Sequence, residues 1–338
     1  MQKQLIALAV LGALSAPAFA ADNSVTLYGR VDMAVSANDD GKTNRFMVDN
    51  YSSRIGFKGS EDLGDGLSAV WQIETGIAPD DSANSKAFAS RNSFIGLKGG
   101  FGTVLAGNHD TPFKSLDKNV SIMWGQGDAL EVITHGKASS LNFHTRQTNV
   151  LQYHSPNLSG FQFKAAYSPD EAKVDGGSNK QKYSFSGEYD GGMFHLGAAY
   201  DVKSDEKNKG KDWNAAKVIG SVKLGDTTLG GAYSKLDNDE GKDTNTYLLA
   251  VSHKIDKLTL KGTYAMADET ASNAKDGVDM LGLEANYALT KRTAMYGYVS
   301  LIKNEANAAA KFASSDNSPT PAKGDDARAF GLGVRHNF

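Results

Sequence analysis

From Ser24 to the end of the chain, segments of about ten residues alternate apolar with polar or small side chains, and no helical period interrupts them. In "SVTLYGRVDMAV" one side carries Val25, Leu27, Gly29, Val31 and Met33, and the other Thr26, Tyr28, Arg30, Asp32 and Ala34. In "GFQFKAAYS" Phe161, Phe163, Ala165 and Tyr167 stand against Gln162, Lys164, Ala166 and Ser168. In "LGLEANYAL" Leu281, Leu283, Ala285, Tyr287 and Leu289 stand against Gly282, Glu284, Asn286 and Ala288. A period of two sustained this way makes an all-β chain with one apolar and one polar face. A β-sandwich shares the alternation, but its strands are typically shorter and its polar face is the outer one.

The connections alternate as well. Tight turns bearing Gly or Asp fall at "DLGDGL", "GGFGT", "PNLSG", "DGGM", "LGDTT", "KIDK" and "LTKR", seven in all. Eight longer polar stretches separate them, at residues 36–45, 78–89, 111–146, 169–181, 203–213, 236–244, 268–277 and 303–325. Seven short and eight long connections join sixteen strands, and that arrangement predicts a bacterial outer-membrane β-barrel. Closure satisfies every backbone N–H and C=O inside lipid and leaves no free edge. Sixteen strands enclose an aqueous channel rather than a side-chain core. The expected fold is therefore an all-β, sixteen-stranded antiparallel transmembrane barrel over residues 21–338, with both termini at the periplasmic end. Its closing strands are expected at 25–35 and 328–338.

The amino-terminal "MQKQLIALAVLGALSAPAFA" has Lys3, an apolar run from Leu5 to Leu14 and the triplet Ala18-Phe19-Ala20, the layout of a cleavable secretory signal over residues 1–20. No later apolar run is long enough for a membrane helix. With no cysteine, an exported chain has no disulfides and rests on backbone pairing and packing. A net charge of −3 argues against a nucleic-acid surface.

Several blocks carry a resemblance: "SVTLYGRVD", "SSRIGFKGSEDLGDGLSAVWQIE", "SRNSFIGLKGGFGTVLAGNHD", "NVLQYHSPNLSGFQFKAAY" and the terminal "GVRHNF". On these the chain resembles the trimeric general diffusion porins of Gram-negative outer membranes, in their neisserial and β-proteobacterial branch. The resemblance implies a homotrimer in outer-membrane lipid and lipopolysaccharide, passing ions and small hydrophilic solutes. It also implies that Phe338, with Phe330, Leu332, Val334 and His336 at alternate positions, is read by the barrel-assembly machinery. His336 stands where many such chains have an apolar or aromatic residue.

The resemblance further implies basic side chains at mid-height of the lumen, opposed by acids on an inward-folded third loop. The matching positions are Arg30 on the first strand, Arg54 and Lys58 on the second, Arg91 on the fourth and Arg146 on the sixth. Alternation independently turns Arg30 and Arg54 away from the apolar face, which spares the roughly 2–4 kcal/mol cost of Arg at the lipid midplane. Residues 111–146 are far longer than an ordinary connection, and Phe113, Leu116, Ile122, Met123, Trp124, Leu130, Val132 and Ile133 suit a segment folded against the wall. Its candidate acids are Asp117, Asp128 and Glu131, with Asp110 at its base. Four arginines and Lys58 outnumber these acids and predict a weak anion preference.

Other chemistry is thinly represented. The seven His lack a metal-ligand spacing, thiolate sites are excluded, and no metal or cofactor is expected. A Ser–His hydrolase using His144, His154 or His195 has no G-x-S-x-G elbow to support it. An outer-membrane hydrolase and, closer, a substrate-specific channel remain the alternatives to a general pore.

Overall fold

In the computed structural model, which describes residues 25–81, 86–136, 141–239, 241, 243–270, 274–312 and 318–338, each alternating segment is extended and pairs with its sequence neighbours. The expected signal segment, residues 1–20, lies outside the described residues. The strands are β1 (Thr26–Asp39), β2 in two pieces (Asn44–Asn50 and Arg54–Gly64), β3 (Leu67–Gly76), β4 (Ser93–Gly99) and β5 (Gly102–Asp110). They continue as β6 (Arg146–His154), β7 (Phe161–Ser168), β8 (Lys182–Asp190), β9 (Phe194–Lys203), β10 (Trp213–Leu224) and β11 (Thr227–Asp237). The last five are β12 (Asp243–Ile255), β13 (Leu258–Ala267), β14 (Val278–Ala288), β15 (Thr293–Asn304) and β16 (Ala327–Asn337). Both pieces of β2 pair with β1, and β1 pairs antiparallel with β16, from Arg30 opposite Asn337 to Asp39 opposite Arg328. The sheet is thereby a closed sixteen-stranded barrel without edges.

The period-two pattern has a physical reading on this surface. Leu332 is 69% exposed and Leu249 68%, whereas Ser184, Ser234 and Thr246 on the opposite face are fully buried. Apolar side chains thus clothe the outside and polar ones line the interior, the reverse of a water-soluble sandwich. Aromatic pairs mark both rims: Phe161–Tyr189 and Tyr153–Phe163 beside short turns, and Tyr167–Tyr183 and Tyr233–Tyr247 beside long loops.

Most connections fall where the composition placed them, but the first long one does not. Residues 36–39 continue β1, residues 44 and 45 open β2, and only Asp40–Thr43 turn. The polar run there is inward-facing strand: Asn38 Nδ2 donates to Ser36 Oγ at 2.6 Å and to Asp49 Oδ2 at 3.3 Å. The break in β2 at residues 51–53 was likewise invisible. Ser52 adopts a left-handed φ of 58°, and its carbonyl accepts from Arg30 Nη2 at 3.3 Å.

Residues 111–136 hold two short turns of helix. Thr111 caps Pro112–Ser115 by accepting from the Lys114 N–H at 3.0 Å, and a π-helical turn covers Leu130–Thr134. Phe113, Leu116, Met123, Leu130, Val132 and Ile133 are buried as expected, while Ile122 and Trp124 are half-buried.

Candidate functional site

The inner face carries a row of basic side chains that runs from β1 to β6. Arg30 and Arg54 are register partners on β1 and β2. Arg54 Nε lies 3.6 Å from Glu74 Oε2 on β3, and Arg91 Nε donates to Glu74 Oε1 at 2.5 Å. Tyr28 also reaches Glu74, donating to Oε2 at 3.1 Å across β2. It can do so because Gly56 stands between them: a Cβ there would lie 2.5 Å from the Tyr28 ring. Lys58 is exposed beside the same ring, its Nζ 5.1 Å from the centroid. Arg91 precedes β4 rather than lying within it, its backbone N–H donating to the Glu74 carbonyl at 3.0 Å.

Arg146 opens β6 and extends the row. Its Nε donates to Asn92 Oδ1 at 2.7 Å and its Nη2 lies 2.9 Å from Asp110 Oδ1. Lys114 Nζ approaches the same carboxylate at 2.7 Å. Asp110 is the last residue of β5, so this predicted acid sits between two cations on the wall instead of facing them from a loop.

The other predicted acids occupy different environments. Asp117 is exposed. Asp128 accepts from Ser121 Oγ at 2.5 Å and from the Glu131 N–H at 3.3 Å, fastening the start of the π-helical turn. Burial, with Glu131 adding to it, pushes the Asp128 carboxyl up to about 7. Glu131 Oε1 is 3.4 Å from His144 Nε2.

Residues 113–125 pack on the polar face of β8, β10 and β13–β16 through contacts that the composition did not single out. Glu284 on β14 accepts from the Trp124 N–H at 2.7 Å and the Gly125 N–H at 3.0 Å, and its other oxygen takes Lys261 Nζ of β13 at 2.9 Å. Lys261 Nζ and the Arg335 guanidinium lie 4.3 Å and 4.0 Å from the Trp124 ring centroid. At the other end the Phe113 N–H donates to Ser184 Oγ of β8 at 3.0 Å. Asn119 donates to Ser221 of β10 at 2.9 Å, and Lys118 pairs with Asp190.

The closing seam adds a further pair, Asp32 on β1 and Arg335 on β16, with Tyr296 donating to Asp32 Oδ1 at 2.7 Å. Outside this seam, Phe330, Leu332 and Val334 face outward, and His336 Nδ1 is 2.9 Å from Thr293 Oγ1. Phe338 exchanges backbone hydrogen bonds with Gly29 at 3.0 Å and 3.1 Å. Among the described residues, no group of His, Asp and Glu is arranged to hold a metal ion.

A closed barrel with an apolar exterior and a charged interior defines an outer-membrane β-barrel of the pore-forming kind. The profile of the Gram-negative porin family matches residues 7–308, and the chain belongs to that family. It is 37% identical over 196 residues to the major outer membrane protein P.IB of Neisseria gonorrhoeae, a match covering 54% of this chain and 52% of that protein. The chain thus spans about half the length of the neisserial relatives it matches. It is 30% identical over 360 aligned residues to outer membrane porin protein 32 of Delftia acidovorans, covering 100% of both. Among solved structures, the anion-selective porin from Comamonas acidovorans superimposes with a TM-score of 0.81 at 26% identity, covering 94% of this chain and 100% of that one. A trimer form of OmpT from Vibrio cholerae shares the fold, with a TM-score of 0.72 at 18% identity.

Proposed function

We propose that the barrel is a passive channel for ions and small hydrophilic solutes, narrowed by residues 111–136 lying across its lumen and weakly selective for anions. The observation that carries this reading is the charge balance on the inner wall. Arg30, Arg54, Arg91 and Arg335 stand within one electrostatic neighbourhood, against the two carboxylates Asp32 and Glu74. Four positive groups less two negative leave an excess of two positive charges beside the water column. Arg146 and Lys114 around Asp110 extend the positive side by one more.

Such a wall raises the local concentration of anions without a saturable pocket, because the charges line a path instead of converging on a point. The Comamonas protein with the same fold is named as anion-selective, which agrees in sign. Asp117, Asp128 and Glu131 would supply the weaker acidic side. The channel works as a homotrimer in this reading, as the Vibrio structure's trimer form suggests for the fold. Phe338 and its outward-facing neighbours on β16 would serve as the assembly signal.

Planar-bilayer recording of the purified protein tests this directly. An ohmic conductance with a reversal potential of the sign for weak anion preference is expected in a salt gradient. Saturable block by one solute would favour a substrate-specific channel, and absence of conductance would overturn the reading. Chemical cross-linking in mild detergent that yields only monomers would overturn the trimer.

A further inference from the structure

The outer face of the barrel is unevenly clothed. Two grooves of about 820 Å³ and 530 Å³ share Val35, Ala285, Gly297 and Leu332, and so form one furrow across β13, β14, β15, β16 and β1. Register sets its floor. Ala285 and Gly297 are partners on β14 and β15, and in the same row Leu260 stands beside Ala285 and Leu332 beside Gly297. Two small residues between two leucines leave a depression roughly 10 Å wide, two strand spacings. Taller side chains wall the furrow on either side of it, Val299 and Phe330 towards the long loops, Met295 and Val334 towards the short turns. Phe330 and Val334 are roughly 13 Å apart along β16 at the rise of an extended strand. These dimensions suit a hydrocarbon chain.

The two ends of the furrow differ in charge. At the long-loop end each cation faces an acid in register, Arg328 opposite Asp39 and Lys303 opposite Asp279. At the other end the turns β12–β13 and β14–β15 carry Lys254, Lys257, Lys291 and Arg292, all exposed, against Asp256. The chain's terminal carboxylate lies near them, since the Asn337 N–H donates to the Arg292 carbonyl at 2.9 Å. Four positive charges less two negative leave an excess of two. The β2–β3 turn has the opposite sign, with Glu61, Asp62 and Asp65 around it. A basic lip at the foot of an apolar slot is complementary to an anionic headgroup whose chain lies in the membrane. A second barrel is convex and would bridge the furrow, whereas a flexible chain reaches Ala285 and Gly297.

We propose that the furrow binds one anionic glycerophospholipid of the periplasmic leaflet, with an acyl chain over Ala285 and Gly297 and the phosphate among Lys257, Lys291 and Arg292. The lipid is then a bound ligand of the barrel wall, selected by headgroup charge, and is distinct from the solutes of the lumen.

Native mass spectrometry of the full protein in mild detergent tests it, after incubation with equal amounts of phosphatidylglycerol and phosphatidylethanolamine bearing the same chains. One retained lipid per protomer is expected, with phosphatidylglycerol favoured several-fold. Gly297→Leu fills the furrow and should lower retention of both lipids several-fold. Its Cβ would meet Leu332 Cδ2 at 3.0 Å, the movable end of a side chain. The triple variant Lys257→Gln, Lys291→Gln, Arg292→Gln should abolish the preference and leave the slot for the chain. No retained lipid, equal retention of the two lipids by the native protein, or a preference unchanged in the triple variant would overturn the proposal. So would unchanged retention in Gly297→Leu. If that variant does not assemble, Ala285→Leu fills the same floor from β14 and decides in its place. Two other occupants have their own signatures, and either would overturn the proposal. Retained lipopolysaccharide that Arg328→Gln removes would assign the furrow to the outer leaflet. Loss of oligomers in Gly297→Leu with lipid retention unchanged would assign it to a second copy of the chain.

Discussion

Arg335 on the last strand grips Asp32 on the first, Nε to Oδ2 at 2.6 Å, and the same guanidinium lies 4.0 Å from the Trp124 ring centroid. One side chain thereby ties the barrel seam to the segment that carries Trp124. Tyr296 completes the carboxylate's hydrogen bonds from β15, reaching over Gly333, where a Cβ would sit 2.3 Å from its ring. The same device places Tyr28 over Gly56 on the opposite side of β1. In both cases a glycine on the intervening strand lets a tyrosine span two strand spacings to an acid.

The seam predicts a stability defect. Asp32 is fully buried and Arg335 is 8% exposed, so Asp32→Asn leaves a guanidinium with its charge uncompensated. Breaking one side of a buried pair costs about 3–5 kcal/mol, and water in the lumen places this case at about 3 kcal/mol. A lower denaturant midpoint of tryptophan fluorescence is expected. The double variant Asp32→Asn, Arg335→Met should recover most of the loss, since no unpaired charge remains.

Trp124 predicts a local effect. Two cation–π contacts at about 0.5–1 kcal/mol each hold its ring, beside the Glu284 hydrogen bonds to the backbone. Trp124→Ala should raise the local opening of residues 121–127 by about tenfold, in keeping with a loss of about 1–2 kcal/mol. Faster amide exchange confined to that segment, with the barrel strands unchanged, is the expected measurement. Glu284→Gln keeps an acceptor for Trp124 and Gly125 but leaves the buried Lys261 ammonium without its carboxylate, so its effect should extend to the strands β13 and β14.

The alternation made the wall legible, and the length and apolar content of residues 111–146 made the third segment legible. Individual wall residues were harder. Asp32, Glu74, Lys261, Glu284 and Arg335 each look like one more inward polar residue, and their importance comes from cross-strand register that the local pattern does not encode. The same polarity disguised Ser36 and Asn38 as loop. Arg30, Arg54 and Arg91 sit in the blocks that carry the resemblance and Arg146 just before one, whereas Glu74, the partner of Arg54 and Arg91, needed the folded geometry. Asp110 was placed on the loop side because it ends a strand where the long connection begins.

Asp40, in the first turn, predicts a titration outside the membrane-spanning wall. Arg45 and the backbone N–H groups of Thr43 and Lys42 hold its carboxyl down at about 2. A folded-state value below the unfolded one stabilises the turn above the ordinary carboxylate range, and that contribution disappears as pH falls through about 4 towards about 2. Carboxyl-carbon NMR should place the Asp40 midpoint near that lower value. In Arg45→Ala it should move up towards the ordinary range, and an unmoved midpoint would exclude the guanidinium as the main cause.

Glu74 and its two arginines predict the selectivity. Glu74 cancels part of the Arg54 and Arg91 charge at 3.6 Å and 2.5 Å, so the acid and the bases should act in opposite directions. A unit charge contributes about 1 kcal/mol at 4 Å in water, an upper limit of about fivefold in an ion's local concentration. Removing both bases as Arg54→Ser, Arg91→Ser should move the reversal potential towards cation preference. Glu74→Gln should move it towards anions, by less than the double variant because only one charge changes. Both shifts should shrink at high salt, where the Debye length falls to about 3 Å and screening reaches the wall itself. Equal reversal potentials in all three proteins would remove these residues as selectivity determinants and leave Asp117, Asp128 and Glu131 as the groups to change next.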